Sequence, residues 1–282
     1  MQRVAPPVVS VICTAKNAAT TIEATIRSIL AQDFQDWEMI VVDDGSTDDT
    51  LGIVNRLAET DPRVRPIATP GVGRARALNL AIAEAKADFV ANLDADDESH
   101  PYRLGCQLEA MKRHPEFAIV ATEWFRIYDA ASPVWPEIEA SASFAVEDVT
   151  RSLVVSSQIC HSSVMMRKSA IIGLGGYDEE TLIDDADLWV RAAAAGLRLG
   201  CIQLPLAAKR IHPAQFFLHS PRLPYLWAGL QVKARAIRVL GVRARDVPMI
   251  VLRLVWSILP LNVRNTVIKL GVGRRVGRFR FR

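Results

Sequence analysis

From Arg222 to the end of the chain there is a single acidic residue, Asp246, against 14 lysines and arginines. The preceding 221 residues carry 20 basic and 30 acidic side chains, so the net charge of +3 hides an acidic body and a basic tail. Two regions of opposite charge ask for two partners of different character. The tail lacks interleaved aromatics and any RNA-recognition motif, which argues against nucleic acid as one of them. Cysteine is scarce. Cys13, Cys106, Cys160 and Cys201 lie far apart, so neither a zinc pattern nor a disulfide framework is readable, and reduced thiols in the cytoplasm are expected. Met1 to Pro7 has no apolar stretch of the kind a cleaved signal peptide needs. Internal repeats are absent. Glycine is missing from Thr14-Ala-Lys-Asn-Ala18, where a sugar-phosphate nucleotidyltransferase carries a Gly-rich loop. Gly71-x-Gly73 lacks the third glycine of a dinucleotide loop and follows Thr69-Pro70, which is no buried strand.

What is present is a folded core: 50% of the 282 residues are hydrophobic and 23% charged. Val8 to Cys13 is a β-branched run of the type buried on both faces of a sheet. Ile22, Ile26, Ile29 and Leu30 lay an apolar stripe along a helix. Glu38 to Val42 reads as a second strand, followed by Ser46 as cap of a helix with Asp48 and Asp49 in its first turn and Leu51, Val54 and Leu57 inward. Strands at Val64 to Ala68 and Phe89 to Leu93 bracket a helix from Arg74 to Ala85. Alternation at this spacing implies βαβ units and a mostly parallel sheet. Pro101 starts another helix, Phe117 to Trp124 makes a strand, and Ala130 to Ser143 reads as a long surface loop. The second half is less regular: a strand at Ser162 to Met166, a helix at Asp185 to Ala195 closed by Gly196, and a strand at Leu199 to Ile202.

In an open α/β sheet, ligands sit at the carboxyl ends of the strands. Two such ends here are acidic, Asp43-Asp44 and Asp94-x-Asp96-Asp97. Either motif alone is an ordinary turn with a helix cap. Together they crowd carboxylates into one crevice, and a shared divalent cation on a diphosphate would relieve the repulsion.

Eight ordered motifs then point one way. Val9-Ser-Val-Ile-Cys-Thr14, Val41-Val-Asp-Asp-Gly-Ser-Thr-Asp48, Ala77-Leu-Asn-Leu-Ala81, Leu93-Asp-Ala-Asp-Asp97, His161-Ser-Ser-Val-Met-Met-Arg167, Gly175-Gly-Tyr-Asp178, Asp184-Asp-Ala-Asp-Leu-Trp189 and Arg210-Ile-His212 resemble family 2 glycosyltransferases of the GT-A fold. The resemblance runs from about Val8 to His212. It implies an inverting transfer of one sugar from a nucleoside-diphosphate sugar, with a uridine donor the commonest case, to a hydroxyl acceptor. Thr14 and Asp44 are then expected at the base and ribose, and Asp94 at the ribose or the metal. Asp96 is expected on a Mn²⁺ or Mg²⁺ ion, with His212 reaching the metal or the diphosphate. Asp185 is expected as the general base, and His161, Asp184 and Trp189 as lining of the acceptor site. The family's usual Glu-Asp pair is Asp184-Asp185 here, a glycine commonly found at Ala81 is absent, and an arginine common at Leu78 leaves Arg74 or Arg76 as the substitute. The Gln-x-x-Arg-Trp motif of processive synthases is missing, which favours one transfer per encounter.

These observations divide the chain into a catalytic domain, 1–219, and a basic, amphipathic helical segment, 220–282. Val247 to Val263 contains one charge, Arg253, near its middle, and prolines at 248 and 260. It is expected to lie in the interface at the inner face of a membrane rather than to span it. A lipid-linked or other glycan acceptor fits such a place, with packing on the catalytic domain or a homodimer contact left open. A non-catalytic nucleotide-sugar binder is the other class the composition permits.

Overall fold

The computed structural model describes residues 6–128, 130–138, 143–155, 159–212 and 222–258. Its first half alternates strand and helix: β1 (Val9–Ala15), α1 (Ile22–Leu30), β2 (Trp37–Asp44), α2 (Thr50–Thr60), β3 (Val64–Thr69), α3 (Arg74–Glu84) and β4 (Phe89–Asn92). There follow β5 (Glu98–Ser99), α4 (Arg103–Arg113), β6 (Phe117–Tyr128), β7 (Val146–Asp148), a 3-10 turn at Thr150–Val154, β8 (Val164–Arg167) and α5 (Lys168–Gly173). The last elements are α6 (Asp184–Ala194), β9 (Arg198–Ile211), α7 (Arg222–Leu240) and α8 (Val247–Ile258).

All nine strands join one sheet in the order β3-β2-β1-β4-β8-β6-β9-β5, with β7 alongside β9. β1 pairs in parallel with both β2 and β4, which explains its unbroken apolar run: it has no solvent face. β8 is antiparallel to β4 and to β6, so β6 and β9 point the same way as the first four strands. The sheet is therefore mostly parallel, with β5, β7 and β8 reversed. Helices cover both faces. Ile22, Ile26 and Ile29 of α1, Val54 of α2 and Leu104, Leu108 and Met111 of α4 pack on one side. Leu78 and Ile82 of α3 and Leu188, Trp189 and Ala192 of α6 pack on the other.

Several local expectations need correction. Ser46 does not cap α2; its hydroxyl accepts from the Asn17 amide at 2.9 Å and ties the loop after β2 to the loop after β1. The start of α2 is organised by Asp48, whose carboxylate accepts from Thr50 N–H at 3.1 Å. The α4 helix begins at Arg103 rather than at Pro101. β9 is far longer than Leu199 to Ile202, because Pro205 sits at a register shift against Glu123 of β6 and the strand resumes beyond it. Within Ala130 to Ser143, residues 130–138 and 143 form no helix or strand, and 139–142 lie outside the described residues.

The C-terminal helices dock on the catalytic half. Ala236 of α7 is 1% exposed within the same core as α3 and α6, with Val232 and Leu240 packed beside it. Arg235 pairs with buried Asp187 of α6, and Arg151 of the 3-10 turn donates to Leu240 O at 2.7 Å. Ile250 of α8 packs on Val154 and Val155. Among the described residues no helix is long and apolar enough to cross a membrane; residues 259–263 of the apolar stretch lie outside them.

Candidate active site

Register brings the strand ends together. Thr14 stands beside Val42, Ala15 beside Asp43, Asp44 beside Thr69, and Ile12 beside Asn92. Half-buried Thr14 is the next-to-last residue of β1 at this end of the sheet. Asp44 is almost fully buried, and its carboxylate is already engaged. It accepts from Thr69 Oγ1 at 2.9 Å, Val72 N–H at 2.6 Å and Gly73 N–H at 3.1 Å. The loop from Thr69 to Gly73 is thus folded over Asp44, and Gly71 and Gly73 supply the positive φ values, 93° and 94°, that this path requires.

A charge network spans the crevice. The Arg74 guanidinium, at the first turn of α3, grips both oxygens of Asp184 at 2.6 and 2.7 Å and Asp94 Oδ1 at 3.0 Å. His161 Nδ1 lies 2.9 Å from the same Asp94 oxygen, and His161 Nε2 lies 2.8 Å from Tyr177 Oη. Burial would push the Asp94 carboxyl up, yet Arg74 and His161 hold it well below the usual carboxylate range. The Arg74, His161 and Asn92 side chains all meet this carboxylate at Oδ1 and leave its Oδ2 aside. Tyr177 is held in turn by Asn79, which accepts from its amide at 2.8 Å and donates to its carbonyl at 2.9 Å. At Gly176 (φ 74°) a Cβ would collide with Asn79 Oδ1, which gives the Gly-Gly-Tyr motif its physical reason.

The second acidic group divides its roles. Asp96 Oδ2 lies 3.0 Å from His212 Nε2, and both side chains are about a quarter exposed. Asp97 is fully buried. It accepts from Arg210 N–H at 2.8 Å and pairs with Ser162 Oγ, and burial followed by repulsion from Asp96 pushes its pKa up to about 8. Lys209 of β9 went unnoticed in the sequence. Burial would lower its pKa, but surrounding Cys160, Asp97, Asp94 and Asp96 hold the ammonium above its ordinary value. This lysine and Arg74 therefore supply the positive charge that lets the carboxylates share one crevice.

Asp185 heads α6 beside the anchored Asp184. Its Oδ1 accepts from the Ala186 amide at 2.6 Å, and among the described residues no side chain hydrogen-bonds it. Tyr225 of α7 was also missed. Burial and then the Asp185 and Asp184 charges raise its phenol pKa, so the C-terminal helix reaches the same edge of the site. Three expected residues are placed otherwise. Arg76 is exposed and pairs with Glu179 at 2.7 Å, away from the crevice. Trp189 is 0% exposed inside the core, and His161 is 3% exposed with both ring nitrogens engaged beneath the site. Neither ring stands on a surface an acceptor could touch, because each is needed to fill or satisfy the layer below.

No group of three His, Cys, Asp or Glu side chains able to cage a metal occurs among the described residues. A two-ligand site is a different matter. A hard divalent ion bound to a diphosphate takes only one or two protein carboxylates and fills its remaining positions with phosphate oxygens and water. Asp96 Oδ2 and His212 Nε2, converging and partly exposed, fit that demand. Asp94, tied to Arg74 and His161, fits it less well.

Residues 10–172 match the model of the family described as Glycosyl transferase family 2, more than half of the chain. EpsE of Bacillus subtilis (strain 168), a glycosyltransferase by name, is 32% identical over 199 residues, covering 68% of this chain and 69% of that one. Among solved structures, Staphylococcus aureus TarS residues 1–349 with UDP-GlcNAc superposes with a TM-score of 0.66 at 17% identity, over 86% of this chain and 70% of that one. The mannosyltransferase PcManGT from Pyrobaculum calidifontis, with GDP-Man and Mn²⁺, gives 0.61 at 20% identity over 96% and 81%. Likeness at such low identity speaks to the fold.

Proposed function

The chain belongs to glycosyltransferase family 2 and has its GT-A fold, and we propose that it is an inverting enzyme moving one sugar from a uridine-diphosphate sugar to a hydroxyl acceptor. The observation that carries this reading is the position of Asp185. It is a carboxylate with no side-chain partner among the described residues, fixed at the head of α6 because neighbouring Asp184 is clamped by Arg74 to Asp94 at the end of β4. A general base must be anchored yet free to accept a proton. Asp185 meets both conditions.

In this mechanism Asp185 removes the proton of the acceptor hydroxyl as its oxygen bonds to the anomeric carbon. The bond from that carbon to the diphosphate breaks on the opposite side, and the nucleoside diphosphate leaves with the electron pair. One displacement inverts the centre. Thr14 and Asp44 border the place for the nucleoside, with Asp44 also holding the Thr69–Gly73 loop in shape. Asp94 is assigned to the ribose. Asp96 and His212 would hold a Mn²⁺ or Mg²⁺ ion, which when bound offsets the negative charge developing on the diphosphate. Lys209 lowers the cost of gathering these carboxylates.

The acceptor is proposed to be a lipid-linked glycan precursor at the inner face of a membrane. In support, α7 exposes Leu223, Trp227 and Leu230 at helical spacing, and α8 exposes Val247, Val251 and Val255. The basic tail adds attraction to an anionic leaflet, about 1 kcal/mol per engaged Lys or Arg.

Asp185→Asn tests the central assignment. It should lower kcat by roughly 10²–10⁴-fold, the range for loss of a general base, while leaving nucleotide binding unchanged. Near-normal turnover in this variant would remove Asp185 from the mechanism.

A further inference from the structure

Beside the helix that carries Asp185 lies a cleft of about 230 Å³ to which no role has yet been given. Leu153 of the 3-10 turn, Ile183 and Ala186 form apolar wall, Gly229 of α7 leaves a gap in it, and Lys233 of α7 and Arg253 of α8 bring two cations. None of the lining residues is acidic. Ile183 and Ala186 bracket Asp184 and Asp185 directly in the chain. The cleft therefore borders the first turns of the helix that carries the proposed base.

We propose that this cleft holds the phosphate and the adjoining short apolar chain of a lipid-phosphate-linked acceptor, an inference that rests on the transferase reading above. The chemistry of the walls selects that class. An apolar wall alone would take any chain, and two cations alone would take any phosphate. Their combination within one small cleft takes a molecule in which the two are bonded to each other. The size agrees. At 230 Å³ the cleft is smaller than the roughly 300–1,000 Å³ of sites that enclose a whole drug-sized ligand, so it receives one segment of a longer molecule. Electrostatics point the same way. Burial and then the neighbouring Arg253 push the Lys233 pKa down to about 8, and burial also lowers that of Arg253. A lysine held in a partly desolvated position beside another cation gains when an anion arrives next to it. Lys233 already donates to Leu153 O at 3.0 Å, which fixes its direction within the cleft. The glycine is informative too. A Cβ at Gly229 would meet only Ile183 Cδ1, at an ordinary 3.5 Å, so no backbone constraint requires glycine there. Its effect is to leave the space open.

Calorimetric titration of the full-length protein with geranyl phosphate, kept below its micelle concentration, tests the proposal. Geraniol and inorganic phosphate serve as the chain-only and charge-only arms. Geranyl phosphate should bind at least tenfold more tightly than either. Gly229→Leu, which fills the cleft, and the double variant Lys233→Gln/Arg253→Gln should each weaken it at least tenfold, with UDP affinity unchanged as the check on folding. Should Gly229→Leu fail to fold, the charge variant decides. Equal affinity for geraniol and geranyl phosphate, or binding that both variants leave intact, overturns the cleft. So does a loss in the variants of binding to phosphatidylglycerol vesicles without any loss for geranyl phosphate, because the cations would then be serving a membrane surface. Failure of the Asp185 assignment reads out separately, as turnover retained in Asp185→Asn while geranyl phosphate still binds.

Discussion

Arg74 shows what a single side chain decides here. With Leu78 standing where the family commonly has an arginine, Arg74 and Arg76 were the two substitutes on the donor side, and nothing local separates the pair. In the fold Arg76 turns outward to Glu179, while Arg74 bridges Asp94, 20 residues along the chain, to Asp184, 110 residues along it. Its proposed work is then to position the helix of Asp185 against the end of β4. Arg74→Lys keeps the charge but cannot hold two carboxylates in a planar fork. We expect kcat to fall about tenfold or more, a loss of ~1.4 kcal/mol in the transition state, with donor KM changed far less. Steady-state kinetics with varied donor check this, since a direct phosphate contact would instead raise KM and spare kcat. Asp44, Asp94, Asp96 and Asp185 could be named as candidates because turn chemistry and motif spacing mark them. Lys209, Tyr225 and buried Arg103 were not. Arg103 donates to Ser99 Oγ, Asn92 O and Val164 O from a fully buried position, and no neighbour in the chain announces that.

At the scale of elements, strands and helices with strong periodicity came out close to their true limits, and those with mixed texture did not. β9 contains Pro205 and the polar run through Lys209 and Arg210, so its period of two is hidden although it is the longest strand. The α7 helix was legible as a helix but not as a docked one. Its Lys233 yields a stability test. With a pKa of about 8 against 10.5 for an unperturbed lysine, the folded protein binds fewer protons than the unfolded chain between those values. Stability should therefore rise with pH across that window, and protonation of Lys233 should weaken the fold below it. Lys233→Met keeps the apolar stem and removes the charge. Denaturant unfolding at pH 7 and pH 10 should show the increment in the parent protein and its disappearance in the variant. An unchanged increment in Lys233→Met would assign the pH dependence to other groups.

For the whole molecule, the C-terminal helices carry the proposed membrane contact and also complete the fold. Ala236, Val232 and Leu240 share the core with α6, so a chain ending near His219 would lose part of its own interior. Truncation is thus a poor test of membrane binding, and the better one alters the exposed face. The full-length protein should float with phosphatidylglycerol vesicles at low salt and release at high salt. Leu223→Ser with Trp227→Ser should weaken flotation severalfold at an unchanged melting temperature, because those side chains are 78% and 64% exposed. Equal flotation of the variant and the parent would leave the apolar face without this role. The sequence alone determined the alternation of strand and helix, the carboxylates at the strand ends, the family, and the contrast between an acidic body and a basic tail. Each of these is written in composition or in residues a few positions apart, where period, turn chemistry and motif spacing act. Tertiary structure decided the reversed direction of β8, the burial of Trp189 and His161, the bridge through Arg74 and the cleft between α6, α7 and α8. Those depend on partners brought together from far along the chain, such as Asp97 with Arg210 across 113 residues and Lys233 with Leu153 across 80. Packing and the pairing of buried charges select such partners, and neither leaves a local mark in the sequence.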